Sequence, residues 1–254
     1  MIAGVLAPAL VLLTFLGVWE AYAQLGSVDD FILPAPTEIA RALVDDRALL
    51  WDNLLVTAQE VGLGILLALL LGGLLAVALH FSTALRRGVY PLLVASQAVP
   101  IVIIAPLLVV WFGFGILPKL VIIALVCFFP VVVTTLDALR AVDPDQLKLL
   151  RTLDASRWQA FRLAELPAAL PAALSGARIA VAVAVIGAVL AEQAGSSEGL
   201  GHLILLAIPQ LETARAYAAV VLLAVFAVCL FATLTLAERR LVPWARRPGG
   251  SPSQ

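Results

Sequence analysis

The amino-acid sequence predicts an all-α membrane protein with six transmembrane helices and both termini in the cytoplasm. Three observations support this fold class. Of the 254 residues, 63% are apolar and 13% are charged, which is about half the charged share of a soluble domain. The apolar residues are concentrated in six runs long enough to cross a bilayer. The Lys and Arg residues are concentrated in the connections on one side of those runs.

Each predicted span holds roughly 20 mostly apolar residues, the length that crosses about 30 Å of hydrocarbon. The third and fourth spans belong to one uncharged stretch from Gly88 to Pro118, which is too long for a single helix. Gly113-Phe114-Gly115 supplies the break between them. The predicted spans are residues 3–25, 54–80, 88–112, 116–137, 168–191 and 216–237.

The first predicted span carries Ala21-Tyr22-Ala23, a pattern typical of signal-peptide cleavage. No Lys or Arg precedes the apolar run, and the run is longer than the apolar core of a usual signal peptide. We therefore expect this segment to be retained as an anchor helix.

Basic residues orient the spans, because cytoplasmic connections carry an excess of Lys and Arg. With the N-terminus inside, the cytoplasmic side holds Arg86, Arg87, Arg140, Lys148, Arg151, Arg157, Arg162, Arg239, Arg240, Arg246 and Arg247. The outer side holds only Arg41, Arg47, Lys119 and Arg215. The first outer connection is acidic and contains a short predicted surface helix over 37–43, preceded by Pro36. Its acidic residues are Asp29, Asp30, Glu38, Asp45, Asp46 and Asp52.

Composition and spacing exclude several classes of function. The net charge is −1 and basic residues cluster only in short pairs, so nucleic-acid binding is not expected. Cys127 and Cys229 lie in apolar runs, and His80 and His202 lack ligand spacing, so neither a disulfide framework nor a metal site is expected. The sequence shows no catalytic constellation and no Gly-rich phosphate loop. We expect one non-enzymatic membrane domain over 1–254, with its core at about 54–241 and a disordered tail at 248–254.

The most informative segment is the long cytoplasmic connection between spans four and five. Asp143-Pro144 predicts a helix start, with Asp as the N-cap and Pro at the first helical position. Ser156, with Gln159 three residues later, predicts a second start closed by a capping box. The connection is therefore expected to form two short helices joined by a turn at Asp154-Ala155.

An ordinary connection between helices takes two to eight residues, whereas this loop, residues 143–166, places apolar side chains on the cytoplasmic side. Leu150 and Leu153 recur at spacing three, Trp158 and Phe161 share one face of the second helix, and Pro167 is expected to help end it. Two interpretations remain open: an amphipathic pair that lies on lipid, and a docking element for a cytoplasmic partner.

The spacing of this loop resembles the "EAA" loop of ABC importer permeases, which reads Glu-Ala-Ala, three residues, Gly, then an apolar stretch that ends in Leu-Pro. Lys148-Leu149-Leu150 occupies the Glu-Ala-Ala positions, Asp154 the Gly position and Leu166-Pro167 the terminal Leu-Pro. The missing Glu means that no specific Glu contact carries over. Asp for Gly is a milder departure, because Asp tolerates left-handed backbone better than most residues.

Other strings resemble one branch of these permeases, the group for nitrate, taurine, aliphatic sulfonates and the pyrimidine precursor of thiamine. The resemblance covers about residues 5 to 247. The strings are Phe31-Ile32-Leu33-Pro34-Ala35-Pro36, Pro106 through Trp111-Phe112-Gly113, Phe128-Phe129-Pro130, Ser175-Gly176-Ala177-Arg178-Ile179 and Ser196-Ser197-Glu198-Gly199-Leu200-Gly201.

The resemblance implies the type I importer permease fold in a bacterial inner membrane. It also implies a second permease copy, two ATPase subunits that bind ATP and Mg²⁺, and an extracytoplasmic substrate-binding protein, with no cofactor on this chain. The residues that it assigns to contact with the ATPase are Lys148, Leu149, Leu150, Leu153, Asp154, Ala155, Ser156, Trp158, Phe161 and Pro167.

Polar residues within spans are candidates for the translocation pathway, because they are costly in lipid. The candidates are Gln97, Pro100, Arg178 and Glu192. The alternative for each is a helix–helix contact or an interfacial group, and for Glu192 and Glu60, near span ends, we favour the interfacial interpretation. Tryptophans near span ends are typical of an aromatic belt; these are Trp19, Trp51, Trp111 and Trp244.

The substrate expected from the resemblance is a small neutral heterocycle such as the thiamine pyrimidine precursor. Residues 185–201 and 96–101 resemble the precursor permeases, and Arg178 is the only deep basic residue. The alternative substrate is an aliphatic sulfonate, taurine or nitrate. A secondary transporter is the alternative class, but such proteins usually carry internal repeats, and residues 1–112 and 113–254 show none.

The orientation predicts where reporters become active. A reporter fused after residue 254 or inserted in loop 143–166 should report the cytoplasm, and one inserted near Asp45 should report the periplasm. A periplasmic signal from the C-terminal fusion would invert the topology and remove the loop from the side where an ATPase works.

Overall fold

The structure is a computed structural model that describes residues 2–26, 29 and 31–243, and within these residues it contains helices and no strand. Asp30, Trp244, Arg246, Arg247 and the predicted tail at 248–254 lie outside the described residues. The helices are α1 (Ile2–Leu25), α2 (Pro36–Asp45), α3 (Arg47–Phe81), α4 (Thr83–Ser96), α5 (Ile101–Phe112), α6 (Ile116–Arg140), α7 (Pro144–Thr152), α8 (Arg157–Ala160), α9 (Leu166–Gly195), α10 (Leu200–Ala207) and α11 (Thr213–Leu241). The all-α class is confirmed.

Helix α6 lies at the centre of the bundle between α3 and α9, and small residues allow the three backbones to approach closely. A Cβ added to Gly64 on α3 would lie 2.7 Å from the Cβ of Ile123 on α6, and one added to Gly72 would lie 2.9 Å from Cγ1 of Val131. In lipid, helices associate through such tight packing because the surrounding acyl chains are as apolar as the side chains.

Four described helices are long and apolar enough to span a membrane: Arg47–Phe81, Ile116–Arg140, Arg157–Gly195 and Thr213–Leu241. Helices α4 and α5 pass the same test only as a pair, and they are bent by 102° at their junction. The expectation of one continuous helix over 88–112 is therefore wrong. Pro100 is the physical cause, because it has an extended backbone (φ −64°, ψ 119°) and disfavours helical backbone in the residue before it.

Helix α1 covers 24 residues at the position of the first predicted span. It contacts the bundle through Trp19, whose ring centroid lies 6.1 Å from that of Tyr217, and through Glu20, which accepts a hydrogen bond from Thr37 Oγ1 at 2.7 Å. Six spans remain a prediction, with α1 as the first and the bent pair as the third.

Pro167 does not end the second helix of the loop. Residues Arg157–Gly195 form one helix of 39 residues, which widens into a π turn at Phe161–Glu165. The Leu166 N–H donates to the Phe161 carbonyl, one residue further back than in an α-helix. This wider turn directly precedes Pro167. In a regular α-helix the ring of Pro167 would clash with the carbonyl group four residues earlier.

Two short helices lie at the predicted outer end of the bundle. The predicted surface helix is present as α2, where Glu38 Oε2 accepts a hydrogen bond from the Ala35 N–H at 3.0 Å. Arg215 at the start of α11 donates to Asp46 Oδ2 at 2.7 Å beside the end of α2. The second short helix, α10, was not predicted; its Leu200 and Leu203 are buried in the core.

Replacing Gly64 by valine should destabilise the bundle, because the new side chain would force α3 away from Ile123. Overpacking of this kind costs about 1–3 kcal/mol. Gly62→Val is the matched control, because an added Cβ there meets nothing within 4 Å. The thermal midpoint in detergent should fall for Gly64→Val and stay near wild type for Gly62→Val; equal midpoints would contradict the packing.

Candidate functional site

The loop between α6 and α9 has the two capped helices that the sequence predicted. Asp143 Oδ1 accepts a hydrogen bond from the Asp145 N–H at 2.9 Å and caps α7. Ser156 and Gln159 form the predicted capping box: the Gln159 N–H donates to Ser156 Oγ at 3.3 Å, and the Ser156 N–H donates to Gln159 Oε1 at 2.7 Å. These local bonds fix where each helix begins.

The turn between the two helices depends on Asp154, which has the left-handed conformation (φ 56°) expected at this position. The Ala155 N–H donates to the Leu150 carbonyl at 3.0 Å, and the Asp154 N–H donates to the Arg151 carbonyl at 3.1 Å. This pair of bonds is a Schellman motif, in which glycine usually occupies the left-handed position. Asp154 therefore performs the conformational role of the glycine that it replaces.

The two aromatic residues of the loop differ in burial. Trp158 and Phe161 stack with ring centroids 5.2 Å apart, so they do share a face. Phe161 is only 3% exposed and packs with Leu139 and Ala169, whereas Trp158 is 59% exposed. The expectation that both aromatic residues present surface to a partner is wrong for Phe161, because the π turn directs it into the bundle.

Four large apolar side chains of the loop are exposed, and we call this set the docking patch: Leu149, Leu153, Trp158 and Leu163. Leu163 was missed by sequence reasoning because it lies in the π turn. Of the other predicted loop residues, Lys148 pairs with Asp145 at 2.7 Å. Leu150, Ala155 and Pro167 are half-buried, and Asp154 and Ser156 are exposed.

His80 joins the end of α3 to this element, a role that the sequence did not indicate. Its Nε2 lies 2.8 Å from Glu165 Oε2 in the π turn. The neighbouring Phe81 ring lies 5.1 Å from Phe161 and 6.2 Å from Trp158, centroid to centroid. The docking patch is thus connected to α3 through a polar contact between an imidazole and a carboxylate and through an aromatic cluster.

Gln97 and Pro100 meet at the bend between α4 and α5. They line a cavity of about 360 Å³, which α6 closes from the other side. Its remaining lining residues are uncharged: Ser96, Val99, Ile101, Ile104, Leu125 and Val126. The structure therefore brings two of the four pathway candidates together around a polar amide in an otherwise mostly apolar cavity.

Arg178 lies elsewhere and already has a partner. Its Nε is 3.1 Å from Glu238 Oε2 on α11, and its guanidinium donates to Ser175 Oγ at 2.9 Å. Seventeen residues separate Arg178 from the end of α9 at Gly195, about 26 Å along the helix. Arg178 thus lies near the middle of α9, and its partner Glu238 lies three residues before the end of α11, toward the predicted cytoplasmic side.

Glu192 is fully buried at the outer end of the bundle, so the interfacial interpretation is wrong for it. Its Oε1 accepts a hydrogen bond from Thr57 Oγ1 at 2.6 Å, and its Oε2 accepts one from the Gly201 N–H at 2.5 Å. Thr57 Oγ1 in turn accepts from the Leu200 N–H at 3.0 Å. The start of α10 covers the carboxylate, which sequence reasoning could not anticipate without knowing that α10 exists.

Glu60 is also buried, and it pairs with Lys119, one of the four basic residues assigned to the outer side. The Lys119 ammonium donates to Glu60 Oε1 at 2.5 Å and to Ser196 Oγ at 2.6 Å. Asn53 Oδ1 accepts a hydrogen bond from the Gly199 N–H at 2.7 Å. Gly199 has φ 107°, a conformation suited to glycine.

Together these groups form what we call the outer polar network: Asn53, Thr57, Glu60, Lys119, Glu192 and Ser196, with the amides of residues 199–201. The network joins α3, α6 and α9 to the segment that leads into α10.

Comparison with known proteins identifies the family. Residues 64–247 match the model of the binding-protein-dependent transport system inner membrane component. The chain belongs to this family. It is an ABC transporter permease subunit, a multi-pass inner-membrane transport component rather than an enzyme.

Curated relatives match this permease over almost its whole length. A probable ABC transporter permease of Haemophilus influenzae is 40% identical over 93% of the chain and 97% of its own length. The riboflavin permease RibX of Chloroflexus aurantiacus is 35% identical over 92% of this chain and 88% of its own length. The formylaminopyrimidine permease ThiX of Halalkalibacterium halodurans is 34% identical over 95% of this chain and 97% of its own length. A putative aliphatic sulfonates permease of Bacillus subtilis is 32% identical (95% and 87%), so the relatives differ in substrate.

A solved structure supports the fold. The permease is similar to a chain of an amino acid ABC transporter, with a TM-score of 0.62 and 19% identity over 78% of this chain and 96% of that one. At this identity the likeness concerns the fold alone.

Substitutions at Asp154 should show whether this position needs a left-handed backbone conformation or a negative charge. Asp154→Gly should preserve the loop, whereas Asp154→Ile should destabilise it locally by about 1–2 kcal/mol, because a β-branched residue is strained in left-handed backbone. Thr152→Ile, within α7, is the matched control. Amide exchange of residues 150–160 should accelerate only in Asp154→Ile; unchanged exchange would show that the turn does not depend on this conformation.

Proposed function

We propose that this permease works in a type I ABC importer, where it passes a small nutrient that a binding protein delivers. A separate ATPase subunit, present in two copies and binding ATP and Mg²⁺, supplies the energy. The observation that carries this proposal is the docking patch, because four large apolar side chains exposed in one cytoplasmic loop need a partner to bury them. The family description, which specifies dependence on a binding protein, supports the outer partner.

The contacts around the docking patch suggest how movement of an ATPase would reach the membrane. Trp158 stacks on Phe161, which is buried against α6 and α9. His80 pairs with Glu165 and ties the same element to α3. The helix from Arg157 to Gly195 is continuous, so a displacement of α8 is passed to α9 as a rigid-body movement. Single-turn π bulges inside helices often mark functional sites.

A second copy of this chain is the proposed partner within the membrane. The bent pair lines the cavity at Gln97 and Pro100, and α5 exposes large apolar residues along its length, including Ile103 and Val110. A symmetric pair would place two such cavities around a common axis and enclose a pathway that one copy leaves open.

We favour a neutral heterocycle as the substrate, with a pyrimidine related to thiamine as the first candidate. The cavity at the bend has no charged lining residue, and Arg178 and Lys119, the basic residues on α9 and α6 nearest to the spans, are already paired with Glu238 and Glu60. An obligate anion such as a sulfonate would find no unpaired cation among these groups. Two of the relatives above, ThiX and RibX, are named for heterocycles.

Replacing one residue of the docking patch should weaken binding of the ATPase without unfolding the permease. Leu153→Asp places a charge on a side chain that is 70% exposed, so the permease should keep its thermal midpoint. The ATPase should dissociate and uptake should fall at least about tenfold, because a buried unpaired charge at an interface costs several kcal/mol. Gln146→Asp, on the exposed face of α7, is the control. Wild-type ATPase retention and uptake in Leu153→Asp would contradict the docking assignment.

The substrate is tested on the cognate binding protein, because a ligand that binds the native state raises the melting temperature by mass action. Formylaminopyrimidine should raise it, and taurine or an alkylsulfonate should not. A rise with taurine and none with the pyrimidine would reverse the substrate choice and leave the importer assignment intact.

A further inference from the structure

A basic cavity lies between α4 and α6 at the predicted cytoplasmic end of the bundle, and no residue of the docking patch lines it. Its volume is about 410 Å³, and Arg86, Arg87 and Arg140 line it, with Asp137 as the only acidic group. Within the described part of the chain, none of these three arginines forms an ion pair. The cavity therefore has a net positive charge that the protein does not neutralise.

Interaction with the helix dipoles does not explain why all three arginines lie at this cavity. Arg140 ends α6, where a cation is favourable beside the helix C-terminus. Arg86 and Arg87 lie near the N-terminal end of α4, the end of the helix dipole that disfavours added positive charge. The preference for basic residues in cytoplasmic connections explains their side of the membrane, but it does not explain their convergence on one cavity.

The rest of the cavity is amphipathic. Leu136 is 1% exposed and forms part of an apolar cluster against which Tyr90 packs. Val94, four residues after Tyr90 and seven after Arg87, lies on the same face of α4 and is exposed. A ligand that fits this arrangement has an anionic head beside the arginines and an apolar body that continues along α4 into the bilayer.

We infer that this cavity binds the phosphate headgroup of an anionic phospholipid from the cytoplasmic leaflet. Guanidinium groups bind phosphate oxygens with charge-assisted, often bidentate hydrogen bonds. Basic pockets between transmembrane helices on the cytoplasmic side are a recognised form of lipid site. The inference rests on the proposed orientation but not on transport, so binding can be measured whether or not the importer is assembled.

The test measures binding of phosphatidylglycerol to the purified full-length chain, by native mass spectrometry and by the thermal midpoint in mixed micelles. The wild-type chain should retain one phosphatidylglycerol molecule, and its thermal midpoint should rise. Phosphatidylcholine should be retained less and should raise the midpoint less. Arg87→Gln with Arg140→Gln should weaken binding about 30-fold, since each arginine near an anionic lipid contributes about a factor of five. Arg87→Lys with Arg140→Lys should retain most of the affinity.

The matched control is Arg239→Gln with Arg240→Gln, which removes two exposed charges from the same end of the bundle and should leave binding within twofold of wild type. Equal loss in the control and the test variant would show general surface attraction and overturn the site. An equal thermal rise with inorganic phosphate alone would indicate a free-anion site instead of a lipid site. Unchanged lipid affinity with loss of the ATPase would assign the cavity to a protein partner and would also overturn the inference.

Discussion

The outer polar network is the constraint on which the rest of the bundle depends. Glu192 is 0% exposed and Glu60 3% exposed, and carboxyl groups at such depth need hydrogen-bonding partners, because an unsatisfied buried polar group costs several kcal/mol. Their partners lie on other elements: Thr57 on α3, Lys119 on α6 and the amides that begin α10. Sliding any of these helices would leave a buried polar group without its partner. The network therefore fixes the outer ends of α3, α6 and α9 relative to one another.

The opposite end of the bundle is built differently. There α9 continues through a π turn into a loop that exposes large apolar side chains. Its contacts with α3 include the pair His80–Glu165 and a group of aromatic rings. One continuous helix therefore joins the outer polar network to the loop that carries the docking patch. The uncharged cavity at the 102° bend between α4 and α5 lies beside this central unit.

Local sequence patterns predicted the helix caps and the turn of the loop correctly. Contacts between residues that are distant in the sequence were not predictable. The capping box at Ser156, the N-cap at Asp143 and the left-handed turn at Asp154 each depend on residues within a few positions, so sequence patterns identify them. Thr57 and Glu192 are 135 residues apart, and nothing in either span indicates the pairing. The pair of Arg178 with Glu238 and the burial of Phe161 were missed for the same reason. Pro100 showed that the third span was weakened, but proline alone does not determine the angle of a bend.

The most direct test of this account is site-specific photo-crosslinking in the assembled importer. A photoreactive residue replaces Leu153 in the docking patch or, in a separate variant, Trp51, which is also exposed but lies at the predicted outer end. A crosslink to the ATPase subunit is expected from position 153 and none from position 51. An importer that is active in uptake but gives no ATPase crosslink from position 153, or gives the same yield from position 51, would contradict the docking assignment.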